Sequence, residues 1–170
     1  DIEWALVEQQ VGLANEIGDM PDNQKWQVAV HEAGHSVASY HLRKDMGLAF
    51  VSIVRRGSAL GFMLPVSKEG SYSIPLARII ADIRVSMAGD VATKVILGER
   101  WTGAASDIEH IRNRIEYLAW HGVFGGIGTK LGDMTKDQSE KSHRFTDEQW
   151  VLTEELIAKH RSEVEVLARA

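Results

Sequence analysis

His31, Glu32 and His35, within the run His31-Glu32-Ala33-Gly34-His35, are the residues of this chain best suited to chemistry. On a helix, residues four apart sit about 40° apart at roughly 100° per residue, so both imidazoles face one side and can grip one metal ion. Glu32 points elsewhere on the same turn. It is free to act as a base on a metal-activated water, which is the zinc-hydrolase arrangement. An HExxH run also recurs by chance in ordinary helices, so its surroundings decide what it is.

A catalytic zinc takes three protein ligands as a rule, and the helix supplies two. His41 completes an HExxHxxGxxH spacing, but Ala38 stands where a glycine would turn the chain back, and Ser36–Tyr40 continues as good helix. On an unbroken helix His41 lies about 240° around from His35, away from a metal. Glu69 falls in a loop and Glu99 follows a helix-closing glycine. Asp107 stands at the head of a helix, where capping and dipole effects favour aspartate on their own account, and where a carboxylate is also held ready for a metal. His110, three residues on, reads as solvated or supporting, and His121, His143 and His160 read as surface residues.

The elements that must position these groups are mainly helical. Asp1–Ile17 is helix-compatible and ends at Gly18, Asp19 and Pro21. Asp22 or Asn23 is placed to cap the next helix, which carries Trp26, Val30 and the histidines to about Leu42. Ala49–Val54 and Ala59–Leu64 read as a hairpin across Arg55-Arg56-Gly57-Ser58, its second strand ended by Pro65. Lys68–Ser73 is a polar loop. From Pro75 to about Leu97, Ile79, Ile80, Ile83, Met87, Val91 and Val95 recur at helical spacing despite Gly89, and Gly98 closes the helix. Trp101–Ser106 is a turn. Asp107 opens a helix striped by Ile108, Ile111, Ile115 and Leu118 that stops near Gly122.

Five glycines between Gly122 and Gly132 make a loop with no phosphate-binding pattern. Thr135–Arg144 is polar and reads as mobile. Thr146 with Gln149 reads as a capping box, and Phe145 as a staple to Trp150, opening the last helix at about Asp147. The expected fold is therefore mainly α with one small β-hairpin, as a single domain over residues 1–170 with the HExxH helix at its centre.

Composition narrows the function classes. The chain has 170 residues, is 44% hydrophobic and 25% charged, and carries a net charge of −5 with both signs interspersed. No basic stripe marks a nucleic-acid partner. With no cysteine, a metal must be held by nitrogen and oxygen. No apolar run reaches the roughly 20 residues that span a bilayer. The chain starts at Asp1 inside a helical pattern, which is expected of a piece of a longer protein.

HEAGH is followed by RGSALGFMLP from Arg56 to Pro65, MAGDVATKVILGE from Met87 to Glu99, and TGAASDI from Thr102 to Ile108. In order and spacing these resemble the peptidase domain of the FtsH family of AAA metalloproteases, which reads HEAGH, RGxALG…LP, a GGRxAEE helix and TGASNDI. The resemblance covers almost the entire chain. It implies one zinc ion per chain, held by His31, His35 and Asp107, with Glu32 as catalytic base. The activity implied is a metalloendopeptidase acting on unfolded polypeptides, in a homo-hexamer with an upstream ATPase domain. The domain itself would be soluble and face the cytoplasm, with the parent often membrane-anchored.

Within that frame, Leu60, Gly61, Phe62, Met63 and Leu64 are expected to form the edge along which substrate backbone pairs. The interval from Gly61 to Leu64 is two residues shorter than the family pattern, a change that preserves strand alternation. Ala92-Thr93-Lys94 replaces the family's AEE. Carboxylates that orient metal-bound histidines are worth about 10 to 100-fold in metal affinity or activity. Their replacement defines the alternative, a weakened or non-catalytic module kept for ring assembly or substrate binding.

Overall fold

The computed structural model describes residues 20–53, 62–67, 73–101 and 105–170. The helix expected over 1–17, the turn at 55–58 and most of the 68–73 loop lie outside them. The order is α1 (Asp22–Leu42), β1 (Met46–Ser52), β2 (Phe62–Ser67), α2 (Leu76–Leu97), α3 (Ala105–Trp120), α4 (Lys136–Lys159) and α5 (Arg161–Arg169), with a 3-10 turn at Leu131–Asp133.

Helix α1 is the middle of the structure. Every residue from Glu32 to Ser39 is buried, so this stretch has no solvent face and is packed all round. It lies chiefly against α2 and is also covered by α5 and β1. The two long helices approach closely because Gly34 has no side chain: a Cβ there would stand 2.5 Å from the Ala88 carbonyl oxygen and 2.5 Å from Ala92 Cβ. Val30, Val37, Ile83, Met87, Val91, Leu118, Ile157 and Val164 fill the common core.

Several local expectations shift. Pro21, not Asp22 or Asn23, stands at the start of α1; its carbonyl accepts from Gln24 and Lys25 N–H, and Asp22 is already helical, where its charge suits the dipole. Helix α2 begins after Pro75 and ends as expected at Gly98, whose φ of 85° is a left-handed cap. Helix α3 starts at Ala105, so Asp107 sits in its first turn.

The hairpin forms, but slid along both strands. Met46 pairs with Ser67 and Ser52 with Phe62, antiparallel, with an irregularity between Leu48 and Phe50. Pro65 does not end β2; it lies inside it, opposite Leu48 at the irregularity. A broken ladder is where a residue lacking an N–H fits. Phe62, Met63 and Leu64 are thus in β2, while Leu60 and Gly61 lie outside the described residues. Among those residues the sheet has two strands.

The largest correction concerns the C-terminal helix. The capping box is Thr135 with Gln138, not Thr146 with Gln149: Gln138 N–H donates to Thr135 Oγ1 at 3.3 Å and Thr135 N–H to Gln138 Oε1 at 2.9 Å. Both quartets carry the motif, and the upstream one starts the helix eleven residues earlier than expected. The polar run Thr135–Arg144 is therefore the N-cap and first turns of α4, mostly exposed but with Ser142 buried, and laced by the Lys141–Asp137 pair at 2.6 Å. Thr146 is mid-helix, donating to the Ser142 carbonyl. Phe145 packs edge-on against Phe124 at 5.5 Å, and Trp150 instead carries the Arg100 guanidinium at 4.6 Å. Four glycines of the preceding loop, Gly122, Gly125, Gly126 and Gly128, take positive φ.

No helix of the described residues is long and apolar enough to cross a membrane.

Candidate metal centre

Three elements bring the expected residues together. Helix α1 presents His31 and His35 on one side, and the first turn of α3 presents Asp107. His31 Nε2 lies 3.1 Å from Asp107 Oδ2, His35 Nε2 lies 3.4 Å from the same oxygen, and the two Nε2 atoms are 3.0 Å apart. The rings meet edge to face with centroids 4.6 Å apart. Tetrahedral zinc ligands at about 2.0–2.1 Å from the metal stand about 3.3 Å from one another. The three donor atoms fit that triangle before any adjustment.

The tautomer of His35 follows from its other nitrogen. Nδ1 is 2.7 Å from the Val85 carbonyl, which can only accept, so Nδ1 keeps a proton in either charge state, and it is Nε2 that gives up its proton when the ring is neutral and offers a lone pair to a metal. A backbone carbonyl of α2 thereby supplies the orienting contact that carboxylates often give metal-bound histidines.

Helix α2 also supplies the space. A Cβ on Gly89 would lie 2.5 Å from His35 Nε2 and 2.6 Å from His31 Cε1, so the two imidazoles occupy the volume of the missing side chain. Gly89 is the site residue that sequence reasoning passed over. Its signal was present as the one glycine inside a long apolar helix, where it costs roughly 0.5–1 kcal/mol relative to alanine.

The electrostatics are those of a cation cradle. Burial raises the Asp107 pKa, but hydrogen bonds from His31 and His35 outweigh it and hold the carboxyl well below its ordinary range. For His35 burial acts downward, and the bond to Asp107, the Asp107 and Glu32 charges and the Val85 carbonyl overcome it, pushing the imidazole up to about 9. Glu32 is 8% exposed, and burial raises its pKa against the lowering influence of the two imidazoles. The donor set of two nitrogens and one carboxylate oxygen, with Gly89 making room, fits a zinc ion.

Other expected residues fall elsewhere. His41 is turned away, as an unbroken α1 requires, and meets His160 and Glu163. His110 is exposed and lines a pocket with Arg43, Arg78, Asp82, Ser86 and Arg114. Thr93 is buried and donates to the Asp90 carbonyl, while Lys94 is paired with Glu154 of α4. Both side chains bond away from the imidazoles.

The model of peptidase family M41 matches residues 19–170. The chain belongs to that family, as the peptidase domain of FtsH-type zinc metalloproteases. Similar proteins include the ATP-dependent zinc metalloprotease FtsH of Rickettsia bellii, 27% identical over 197 residues that cover all of this chain and 30% of the relative. The protein of the same name from Thermus thermophilus is 29% identical over 187 residues, 99% of this chain and 30% of the relative. That of Neorickettsia risticii is 35% identical over 138 residues, 79% and 21% respectively. The chain spans about three-tenths of the length of the first two relatives.

Proposed function

We propose that this chain is a zinc metalloendopeptidase domain that hydrolyses peptide bonds of unfolded polypeptides, with His31, His35 and Asp107 holding the metal and Glu32 as general base. The observation that carries the reading is the convergence of the two Nε2 atoms and Asp107 Oδ2 to within 3.4 Å of one another, with Glu32 buried beside them. Zinc, when bound, supplies Lewis-acid polarisation of the scissile carbonyl and of the attacking water.

The chain's own residues do the rest. His31 and His35 are fixed in place by packing against Gly89 and, for His35, by the Val85 carbonyl. Asp107 balances the charge. Glu32, its pKa raised by burial, takes a proton from the attacking water and returns it to the leaving nitrogen; such transfers are worth about 10²–10⁴-fold. Leu60, Gly61, Phe62, Met63 and Leu64, at the start of β2 and just before it, are the stretch against which substrate backbone pairs, a mode that reads little side-chain sequence.

The relatives are ATP-dependent, and we extend that to the parent protein: an ATPase domain unfolds and delivers substrate to a homo-hexamer anchored at a membrane, with this domain facing the cytoplasm. The alternative of a non-catalytic module drew on Thr93 and Lys94, and their bonds to Asp90 and Glu154 favour the catalytic reading. Zinc analysis together with digestion of an unfolded protein, with and without a chelator, tests it. The expected result is one zinc at the HEAGH site and cleavage that stops on chelation; metal-independent cleavage, or none from zinc-loaded protein, would refute it.

A further inference from the structure

We propose that His41, His160 and Glu163 form a second divalent-cation site, selective for ions that accept imidazole nitrogen such as Zn²⁺, Co²⁺ or Ni²⁺. The donors come from three places: the last turn of α1, the junction of α4 and α5, and the first turn of α5. His41 Nε2 lies 2.8 Å from Glu163 Oε2, and His160 Nδ1 lies 2.7 Å from Glu163 Oε1. All three donor atoms lie within 4.8 Å of one another. The imidazoles stack with centroids 3.7 Å apart, and their side chains are only 21% and 15% exposed.

Two imidazole nitrogens and one carboxylate oxygen are a donor set for borderline divalent metals, not for calcium or magnesium. Both nitrogens are already aimed at one carboxylate. A cation among them takes the place of the two N–H···O bonds once the stacked rings turn so that both in-plane lone pairs meet it, and each neutral ring then keeps its proton on its other nitrogen, His41 on Nδ1 and His160 on Nε2. Glu163 is 48% exposed, so water can complete the coordination and the ion can exchange.

The site is separate from the HEAGH cluster, because six residues along an unbroken helix turn His41 to another side of α1. It also has a structural consequence. His160 both ends α4 and starts α5, and α5 packs on α1, so a bound ion fastens the C-terminal helix to the helix that carries His31 and His35.

The test is titration of the metal-free 170-residue chain with Zn²⁺, followed by calorimetry and metal analysis, with circular dichroism as the check on folding. Wild type is expected to bind two equivalents. Glu163→Gln, which alters a half-exposed side chain, is expected to lose one, and His160→Ala the same one. The His31→Ala/His35→Ala double variant is expected to keep one, and with Co²⁺ to show d–d absorption that disappears when Glu163→Gln is added. If the HEAGH reading alone is wrong, wild type binds one equivalent and Glu163→Gln removes it. Folded Glu163→Gln binding as many equivalents as wild type would overturn the proposal.

Discussion

Gly89→Ala separates metal binding from folding. The new Cβ would stand 2.5 Å from His35 Nε2 and 2.7 Å from His31 Nε2, about 0.9 and 0.7 Å inside the 3.4 Å where ordinary contact begins. The obstructing atoms are ring tips, which can swing aside, so the fold survives. Alanine even favours the interior of α2 by roughly 0.5–1 kcal/mol over glycine. A metal centre tolerates only about 0.2 Å in its ligand distances, and both ligands are displaced by several times that. We expect zinc affinity to fall by at least about 100-fold, or about 2.7 kcal/mol, while the metal-free protein melts at the same temperature or slightly higher. Competition with a chromophoric chelator, in a Glu163→Gln background so that only the HEAGH site is counted, gives the affinity, and a circular-dichroism melt gives the stability. Wild-type affinity in Gly89→Ala would mean that the imidazoles do not hold the metal where the structure puts them.

Gly34→Ala should do the reverse: its Cβ meets the Ala88 backbone carbonyl at 2.5 Å, which cannot step aside, so a thermal melt should show a loss of roughly 1–3 kcal/mol from forcing α1 and α2 apart. An unchanged melt would show that the helices have slack there. In chelated protein the raised His35 pKa stabilises fully below its unfolded value of 6.5 and is lost as pH rises through about 9, a span of about 3 kcal/mol. The depressed Asp107 pKa adds stability that is lost only as pH falls toward the acid range, so it does not blur this window. Zinc requires His35 neutral, so the zinc-loaded protein should lack the decline between pH 6.5 and 9, and a chelated protein equally stable at both ends would contradict the assignment. Lys94→Glu should cost roughly 1 kcal/mol by replacing a part-exposed ion pair with Glu154 by two like charges and leave zinc affinity unchanged; a 10 to 100-fold gain in affinity would show that this position supports the ligands after all.

The convergence of His31, His35 and Asp107 in the candidate site was legible in the sequence for reasons that can be named. HEAGH is a helical pattern on a helix long enough to fix which residues share a face, so the rejection of His41 as a partner of His31 and His35 followed from periodicity alone. Asp107 was readable as a residue held at a helix head. The Val85 carbonyl was not readable, because a backbone acceptor leaves no trace in residue type, and Gly89 was visible only as a helix defect until its neighbours were known. Thr93 and Lys94 were ambiguous for the same reason: adjacency in sequence to a site helix does not say which side a residue takes, and only the structure pairs them with the Asp90 carbonyl and Glu154.

Outside the site, legibility followed how unique each signal was. The long apolar spacing of α2 and the glycine after it were unambiguous. Two Thr-x-x-Gln quartets competed for the start of α4, and the one inside a polar run was passed over because exposure was taken for mobility. Pro65 was read as a strand end, since the ladder irregularity that admits it depends on the partner strand. His160 and Glu163 carried no local pattern with His41, from which they are separated by more than a hundred residues.

The central claim is that Glu32 moves the proton while His31, His35 and Asp107 hold zinc, and Glu32→Gln tests both halves in one protein. Zinc content measured beside cleavage of an unfolded substrate should show wild-type metal at the HEAGH site and turnover reduced by about 10²-fold or more. Turnover retained with the metal in place would remove Glu32 from the mechanism, and loss of the metal would make it a ligand instead of a base.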